Sequence, residues 1–212
     1  MVRFHHPLQF LVMANFKKIQ NEVKKVEGGY TANPNDNGNW TGWKKGVGVL
    51  LGTNFGIAAA FWQKNYGYTT QEQVKNAKYE QALDVYKKEF WNPLDLDSVI
   101  DERVAHIIYD GKVNHYSGFI EKVVKDSLGT TKYDVSAINK ANPEVLFNKI
   151  KEAREKEYNR LSQKSQNADF IKGWLNRIRG FNYRGIAAEA MRTVKENKGK
   201  VVIFLAFTSL FF

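Results

Sequence analysis

The stretch Val26-Glu27-Gly28-Gly29-Tyr30-Thr31-Ala32-Asn33-Pro34-Asn35-Asp36-Asn37-Gly38 decides how this chain is read. Before it, Phe16, Ile19, Val23 and Val26 recur on one helical face, with Asn15 placed as the N-cap. Gly28 and Gly29 end that helix. Glu27 therefore stands at the helix C-terminus, where the macrodipole already places partial negative charge. A second negative charge there is disfavoured, and any burial adds to the effect, so the carboxyl pKa is expected to rise. That is what a general acid working near neutrality requires. Nine residues on, Asp36 offers a second carboxylate. Two carboxyls across one cleft are the equipment of glycoside hydrolysis. The same residues also have a bland reading, since glutamate often ends helices and aspartate often sits in Asn/Gly turns.

Outward from this stretch, helical patterns are frequent and strand patterns scarce. Residues 30–56 read as an irregular loop rich in Gly and Asn, with a small hairpin expected around 47–51. Thr69-x-x-Glu72 reads as a capping box opening a helix with the stripe Tyr79, Ala82, Leu83, Tyr86 and Phe90, stopped by Pro93. Ser98-x-x-Asp101 opens the next, with Ile100, Val104, Ile107 and Ile108 inward. Phe119, Ile120, Val123, Val124 and Leu128 mark another, closed by Gly129. Asn142-Pro143 is an N-cap with proline at the first helical position. Behind it Leu146, Ile150, Ala153 and Leu161 mark a long charged helix, Phe170, Trp174 and Ile178 a short one, and Ile186, Ala190 and Val194 a last one. The expected fold class is mainly α, with one elaborate loop near the N-terminus.

Composition sets the limits. With 212 residues, 43% hydrophobic and 25% charged, the chain is long enough to bury a core. It has no cysteine, which excludes disulfides, iron–sulfur centres, Cys-ligated zinc and thiol nucleophiles. The net charge of +10 is uneven: residues 1–139 carry 17 basic and 15 acidic side chains, residues 140–212 carry 15 and 7. A basic C-terminal third implies a polyanionic partner, namely nucleic acid, an anionic membrane or an acidic wall polymer. Residues 1–14 read as an N-terminal extension. The apolar run there is short and contains Gln9, so no signal peptide is expected. Residues 201–212 are apolar and follow Lys195, Lys198 and Lys200. Twelve residues fall short of the roughly 20 a spanning helix needs, which leaves a membrane-associating tail or a buried terminal element.

Glu27-Gly28-Gly29-Tyr30 followed by Asn33-Pro34-Asn35-Asp36 resembles the signature of glycoside hydrolase family 108, N-acetylmuramidases of phages and bacteria. The family's next two elements look split by an insertion at residues 40–51. Asp36-Asn37-Gly38-Asn39-Trp40-Thr41 resembles the first and Gly52-Thr53-Asn54-Phe55-Gly56-Ile57 the second. Tyr86-Lys87-Lys88-Glu89-Phe90-Trp91, Tyr109-Asp110 and Asn114 match further on. Gly173-Trp174-Leu175-Asn176-Arg177-Ile178 resembles the peptidoglycan-binding region that accompanies the family. Asn37 and Asn39 replace the family's proline and second glycine, and the segment after Asn114 is longer than usual.

The resemblance implies a lysozyme-like helical fold that cleaves peptidoglycan glycan strands as an endolysin or wall-remodelling enzyme. Glu27 matches the family's catalytic glutamate. Asp36 and a threonine complete the order Glu, Asp, Thr, with Thr41 favoured by spacing and Thr53 by its Gly-Thr-Asn context. Tyr30, Asn54, Asn114 and Trp174 are expected substrate contacts. Inversion is the expected stereochemistry; carboxyls about 5 Å apart would instead indicate retention. Four parts are expected: residues 1–14, a catalytic region at 15–95, a peptidoglycan-binding region at 96–185, and a terminal helix with tail at 186–212. No metal or organic cofactor is implied. A monomer acting at the wall, on the periplasmic side, is expected, and nucleic acid is not. Two rival readings are a non-catalytic peptidoglycan-binding module and a basic nucleic-acid-binding helical protein. Tyr30, Trp40 and Trp43 could stack on sugars or pin the loop. Trp62 and Trp91 read as core. His106 and His115 have no partner at metal-ligand spacing. Lys44-Lys45 before Gly46 lacks the order of a phosphate loop.

Overall fold

The computed structural model describes residues 14–24, 29–163 and 168–183. The expectations for residues 1–13, for Glu27 and Gly28, for the helix through Ile186 and for the tail at 201–212 lie outside the described residues. The chain groups into two compact units, Met1–Phe119 and Ile120–Phe212.

In the first unit, α1 (Phe16–Lys24) starts where Asn15 accepts the Lys18 amide at 3.1 Å. Nine residues make a marginal helix alone, so burial must hold it. Phe16 and Ile19 are buried, each contributing roughly 1.5–3 kcal/mol. Phe16 meets Trp91 at 5.3 Å and Tyr109 at 6.1 Å, and Trp91 meets Tyr109 at 5.3 Å, all edge-on. The Tyr109 hydroxyl donates to the side-chain oxygen of the buried Gln20, tying α1 to the chain that follows. α2 (Ala59–Tyr66) buries Ala59 and Trp62 and closes on Gly67 in the left-handed region.

The capping box expected at Thr69 and Glu72 lies one residue later. Thr70 caps α3 (Gln71–Lys75), with Gln73 as its reciprocal partner. Gln73 wins because its amide oxygen accepts from both the Thr69 and Thr70 backbones, at 2.9 and 3.1 Å. The Tyr79 stripe belongs to a separate helix, α4 (Tyr79–Tyr86). Pro93 does not stop it. The backbone runs on as a π-helical turn, Lys87–Trp91, and a 3-10 turn, Asn92–Leu94, that contains the proline. α5 (Glu102–Asn114) is capped by Asp101, which accepts from Arg103 and Val104. Ser98 instead bonds Asp95 at 2.9 Å.

In the second unit, α6 (Phe119–Leu128) ends at Gly129, φ 69, as expected. A short helix that sequence periodicity missed, α7 (Val135–Lys140), is capped by Asp134. α8 (Pro143–Ser162) opens on Asn142, which accepts from Val145 at 3.0 Å. Its buried face is Leu146, Phe147, Ile150, Arg154, Glu157 and Tyr158 rather than Ala153 and Leu161. α9 (Ala168–Gly180) packs on α8. Arg179 pairs with Glu155 at 2.8 Å, and the Lys151 ammonium donates to the Phe181 carbonyl at 2.5 Å.

Among the described residues the architecture is helical, and β structure is limited to isolated bridges. Thr31 pairs with Thr53, Trp40 with Leu50, and Asn54 with Ile57. The expected hairpin at 47–51 is thus a bridged loop rather than regular strands.

Candidate active site

The loop between α1 and α2 brings distant positions together by backbone pairing. Thr31 and Thr53 exchange both amide–carbonyl bonds, at 2.9 and 2.8 Å. This lays Tyr30 against the chain at Leu51–Gly52. The Tyr30 hydroxyl donates to the Leu51 carbonyl at 3.2 Å and to Gln71 at 3.3 Å. Burial pushes that hydroxyl above its ordinary pKa. The close approach demands glycine at 52. Its φ is +88, and a Cβ there would fall 2.6 Å from the Thr31 carbonyl oxygen and 2.7 Å from the Tyr30 ring. Tyr30 and Thr31, three and four residues after Glu27, are thereby anchored at Leu51–Thr53.

Asp36 caps a 3-10 turn, Asn37–Asn39, accepting the Gly38 amide at 2.9 Å. Asn39 is fully buried and its amide holds the Asn33 carbonyl at 3.0 Å. Its own carbonyl accepts Leu51 and Gly52 at 3.0 and 3.1 Å. These bonds press the Asp36 turn onto the segment that carries Thr53. A methyl placed on Gly38 would lie 3.4 Å from Asp36 Oδ1 and 4.0 Å from Thr53 Oγ1. The exposed carboxylate and the half-buried hydroxyl therefore share the space beside one bare Cα. Such a pair can hold a small polar molecule between an anionic acceptor and a hydroxyl.

Thr41, the other threonine candidate, is placed differently. Its hydroxyl accepts the Val49 amide at 2.9 Å while its backbone donates to the Val49 carbonyl at 3.0 Å. Asn54 is 4% exposed, and its amide donates to the carbonyls of Val74 and Lys75 at 2.8 and 3.3 Å. It closes the C-terminal end of α3. Asn114 ends α5, half-buried, with its amide on the Asp110 carbonyl at 2.8 Å. Trp174 lies in the other unit, half-buried on α9 and stacked on Tyr158 at 5.5 Å. Trp62 and Trp91 are fully buried, as read from sequence. His115 stacks on Phe119 at 4.2 Å. Glu27 lies outside the described residues.

Sequence reasoning missed the groups that brace the Asp36 turn. Lys45 donates its backbone amide to Asn37 Oδ1 at 2.9 Å and its ammonium to Asn35 Oδ1 at 2.6 Å. Trp40 was not missed: its indole donates to the Pro34 carbonyl at 2.9 Å, the loop-pinning alternative read from sequence. Asparagines on both sides of Asp36 were the available signal, but local turn bonds explain asparagine equally well.

Comparison with known proteins bears on both units. The family model described as Glycosyl hydrolase 108 matches residues 20–115, and that described as Predicted Peptidoglycan domain matches residues 129–179. The solved structure of Brucella abortus SagA is similar over 81% of this chain and 94% of that chain, with 25% identity and a TM-score of 0.63. No curated protein sequence matches the chain.

Proposed function

Residues 20–115 belong to the glycosyl hydrolase 108 family, which makes the protein a peptidoglycan hydrolase of the N-acetylmuramidase type with a lysozyme-like helical fold; from that premise we propose that Glu27, Asp36 and Thr53 are its catalytic set. The observation that supports this reading is that the Asp36 carboxylate and the Thr53 hydroxyl flank the same space beside Gly38, on a loop bridged to the residues that follow Glu27. Protonated Glu27 donates to the glycosidic oxygen as the bond breaks. Asp36 takes a proton from a water that Thr53 helps to hold, and that water attacks the sugar from the opposite face. The outcome is inversion. We assign Thr41 to the loop, where its hydroxyl accepts the Val49 amide. We assign Asn54 to holding the loop on α3, and Tyr30 and Asn114 to the glycan. Tyr30 offers its ring while its hydroxyl is held.

The peptidoglycan-binding domain at 129–179 keeps the enzyme on its polymer. We read Trp174 there as a contact with peptidoglycan, and the excess positive charge of residues 140–212 as attraction to the anionic wall. Action from the periplasmic side, an endolysin-like role in phage lysis, and membrane contact by residues 201–212 are the finer parts of this proposal. Among the described residues, no helix is long and apolar enough to cross a membrane. The decisive test digests purified sacculi and analyses the released muropeptides by mass spectrometry. New reducing N-acetylmuramic acid ends are expected from the native protein and none from Glu27→Gln, whose amide fills the same space but cannot donate the proton. Activity of Glu27→Gln within a few-fold of the native level would remove Glu27 from the mechanism.

A further inference from the structure

Residues 41–49 are expensive for the fold to display. Trp43 is 52% exposed and has φ 59, a left-handed conformation that bulky side chains rarely adopt. Val47 and Val49 beside it are 45% and 43% exposed. The segment is nevertheless closely held. Thr41 and Gly42 donate to the carbonyls of Val49 and Val47 at 3.0 and 3.1 Å, and Val47 donates to Lys44 at 2.9 Å. Phe61 buttresses the Trp43 ring in a T-shaped contact at 5.4 Å. Lys45 ties the segment to Asn35 and Asn37, the two neighbours of Asp36. An exposed indole on disfavoured backbone, braced from several sides, is the pattern of a residue kept for contact rather than for stability.

We propose that residues 41–49 form an accessory sugar-binding finger, in which the Trp43 indole stacks on the apolar face of a pyranose ring of the glycan strand, beyond the sugars at the cut bond. The proposal rests on the muramidase reading above. A hexosamine ring presents several C–H groups on one face, and the indole face is electron-rich, so the two attract without any charge. The occupant follows from where the finger is fastened. Its latch to both neighbours of Asp36 makes it continuous with the active-site loop, so a strand lying over Asp36 runs on toward it.

The test uses the full-length protein, soluble uncross-linked glycan chains and a tetrasaccharide fragment of the same polymer. Trp43→Gly removes the ring yet suits the left-handed backbone, so the melting temperature should hold. KM on the long chains should rise about 10-fold, the scale of one lost aromatic contact, with kcat nearly unchanged and the tetrasaccharide unaffected. Trp43→Tyr keeps a stacking ring and should restore KM to within roughly threefold. The finger is refuted if Trp43→Gly keeps native KM on long chains, or if Trp43→Tyr is as impaired as Trp43→Gly. It is equally refuted if Trp43→Gly loses binding to phosphatidylglycerol vesicles while its glycan KM stays native. A native protein that releases no reducing ends from sacculi would sink the muramidase reading itself. Release by the native protein together with an indifferent Trp43 would sink the finger alone.

Discussion

Gly38→Ala separates the active site from the fold. Gly38 has no positive φ, and an added methyl would meet Asp36 Oδ1 at 3.4 Å, the Ala58 methyl at 3.9 Å and Thr53 Oγ1 at 4.0 Å. These are ordinary van der Waals distances, so the fold has room for it. Alanine also narrows the unfolded ensemble, an effect worth about 0.4–1 kcal/mol at compatible positions. At roughly 2–4 °C per kcal/mol for a chain of this size, the melting temperature should stay level or rise by about 1–4 °C. The same methyl fills the space that the mechanism reserves for the attacking water. Turnover on sacculi should fall by roughly 100-fold, the scale of a reacting group misplaced by about 1 Å. Thermal melting by circular dichroism and reducing-end release from sacculi measure the two effects on one sample. Turnover within about threefold of native, with normal melting, would show that nothing essential lies between Asp36 and Thr53.

Gly52→Ala should do the opposite and damage the fold first. Left-handed backbone costs alanine about 1–2 kcal/mol and overpacking against Thr31 and Tyr30 about 1–3 more, so melting should drop by several degrees; unchanged melting would contradict the Tyr30–Gly52 approach. Thr53→Ala should lower kcat by about 10-fold or more with melting preserved. Thr41→Ala should loosen the finger and spare kcat on short fragments, and the reverse pattern would hand the catalytic role to Thr41. Burial pushes the Glu89 carboxyl up, but its bonds to Lys64 and Asn65 outweigh this and hold it below the usual range. The stability it contributes is therefore present above the ordinary glutamate value of about 4.3 and is lost as pH falls below it. Glu89→Gln should flatten that part of the acid melting profile, and an unchanged profile would remove the Lys64–Glu89 pair from it.

Local chemistry made much of the fold legible. Asn142 followed by Pro143, Gly129 after Leu128 and Asn15 before Phe16 each carry their own boundary signal, and each stands where it was read. The misplaced boundaries have a common cause. Thr69, Thr70, Glu72 and Gln73 offer two capping boxes one residue apart, and only the Gln73 amide oxygen, reaching two backbone donors, distinguishes them. Ser98 and Asp101 likewise both look like caps until Ser98 is seen bonded to Asp95. α8 hides Arg154 and Glu157 on its inner face, where charge patterning points outward. In the site, residue type offered Asp36 and the family resemblance added both threonines, but spacing favoured Thr41 and motif context Thr53. The Thr31–Thr53 bridge and the buried Asn39 are the grounds for proposing Thr53, and both are long-range contacts that no local pattern encodes.

The π-helical turn Lys87–Trp91 sets a gauge for the catalytic unit. It carries two consecutive rings that go to different clusters. Phe90 goes to Phe61, the buttress of Trp43, at 5.1 Å, and Trp91 to Phe16 at the start of α1, at 5.3 Å. The loop side of the site and the helix that leads toward Glu27 thus hang from neighbouring residues of one backbone irregularity. A π turn carries one residue more than the α-helical turn it replaces. Deleting a single residue there would regularise the helix and swing one of the two rings out of its cluster without touching the loop that carries Asp36 and Thr53. Relatives that differ by one residue in this turn should therefore seat the loop and α1 differently, even where their loop sequences are identical.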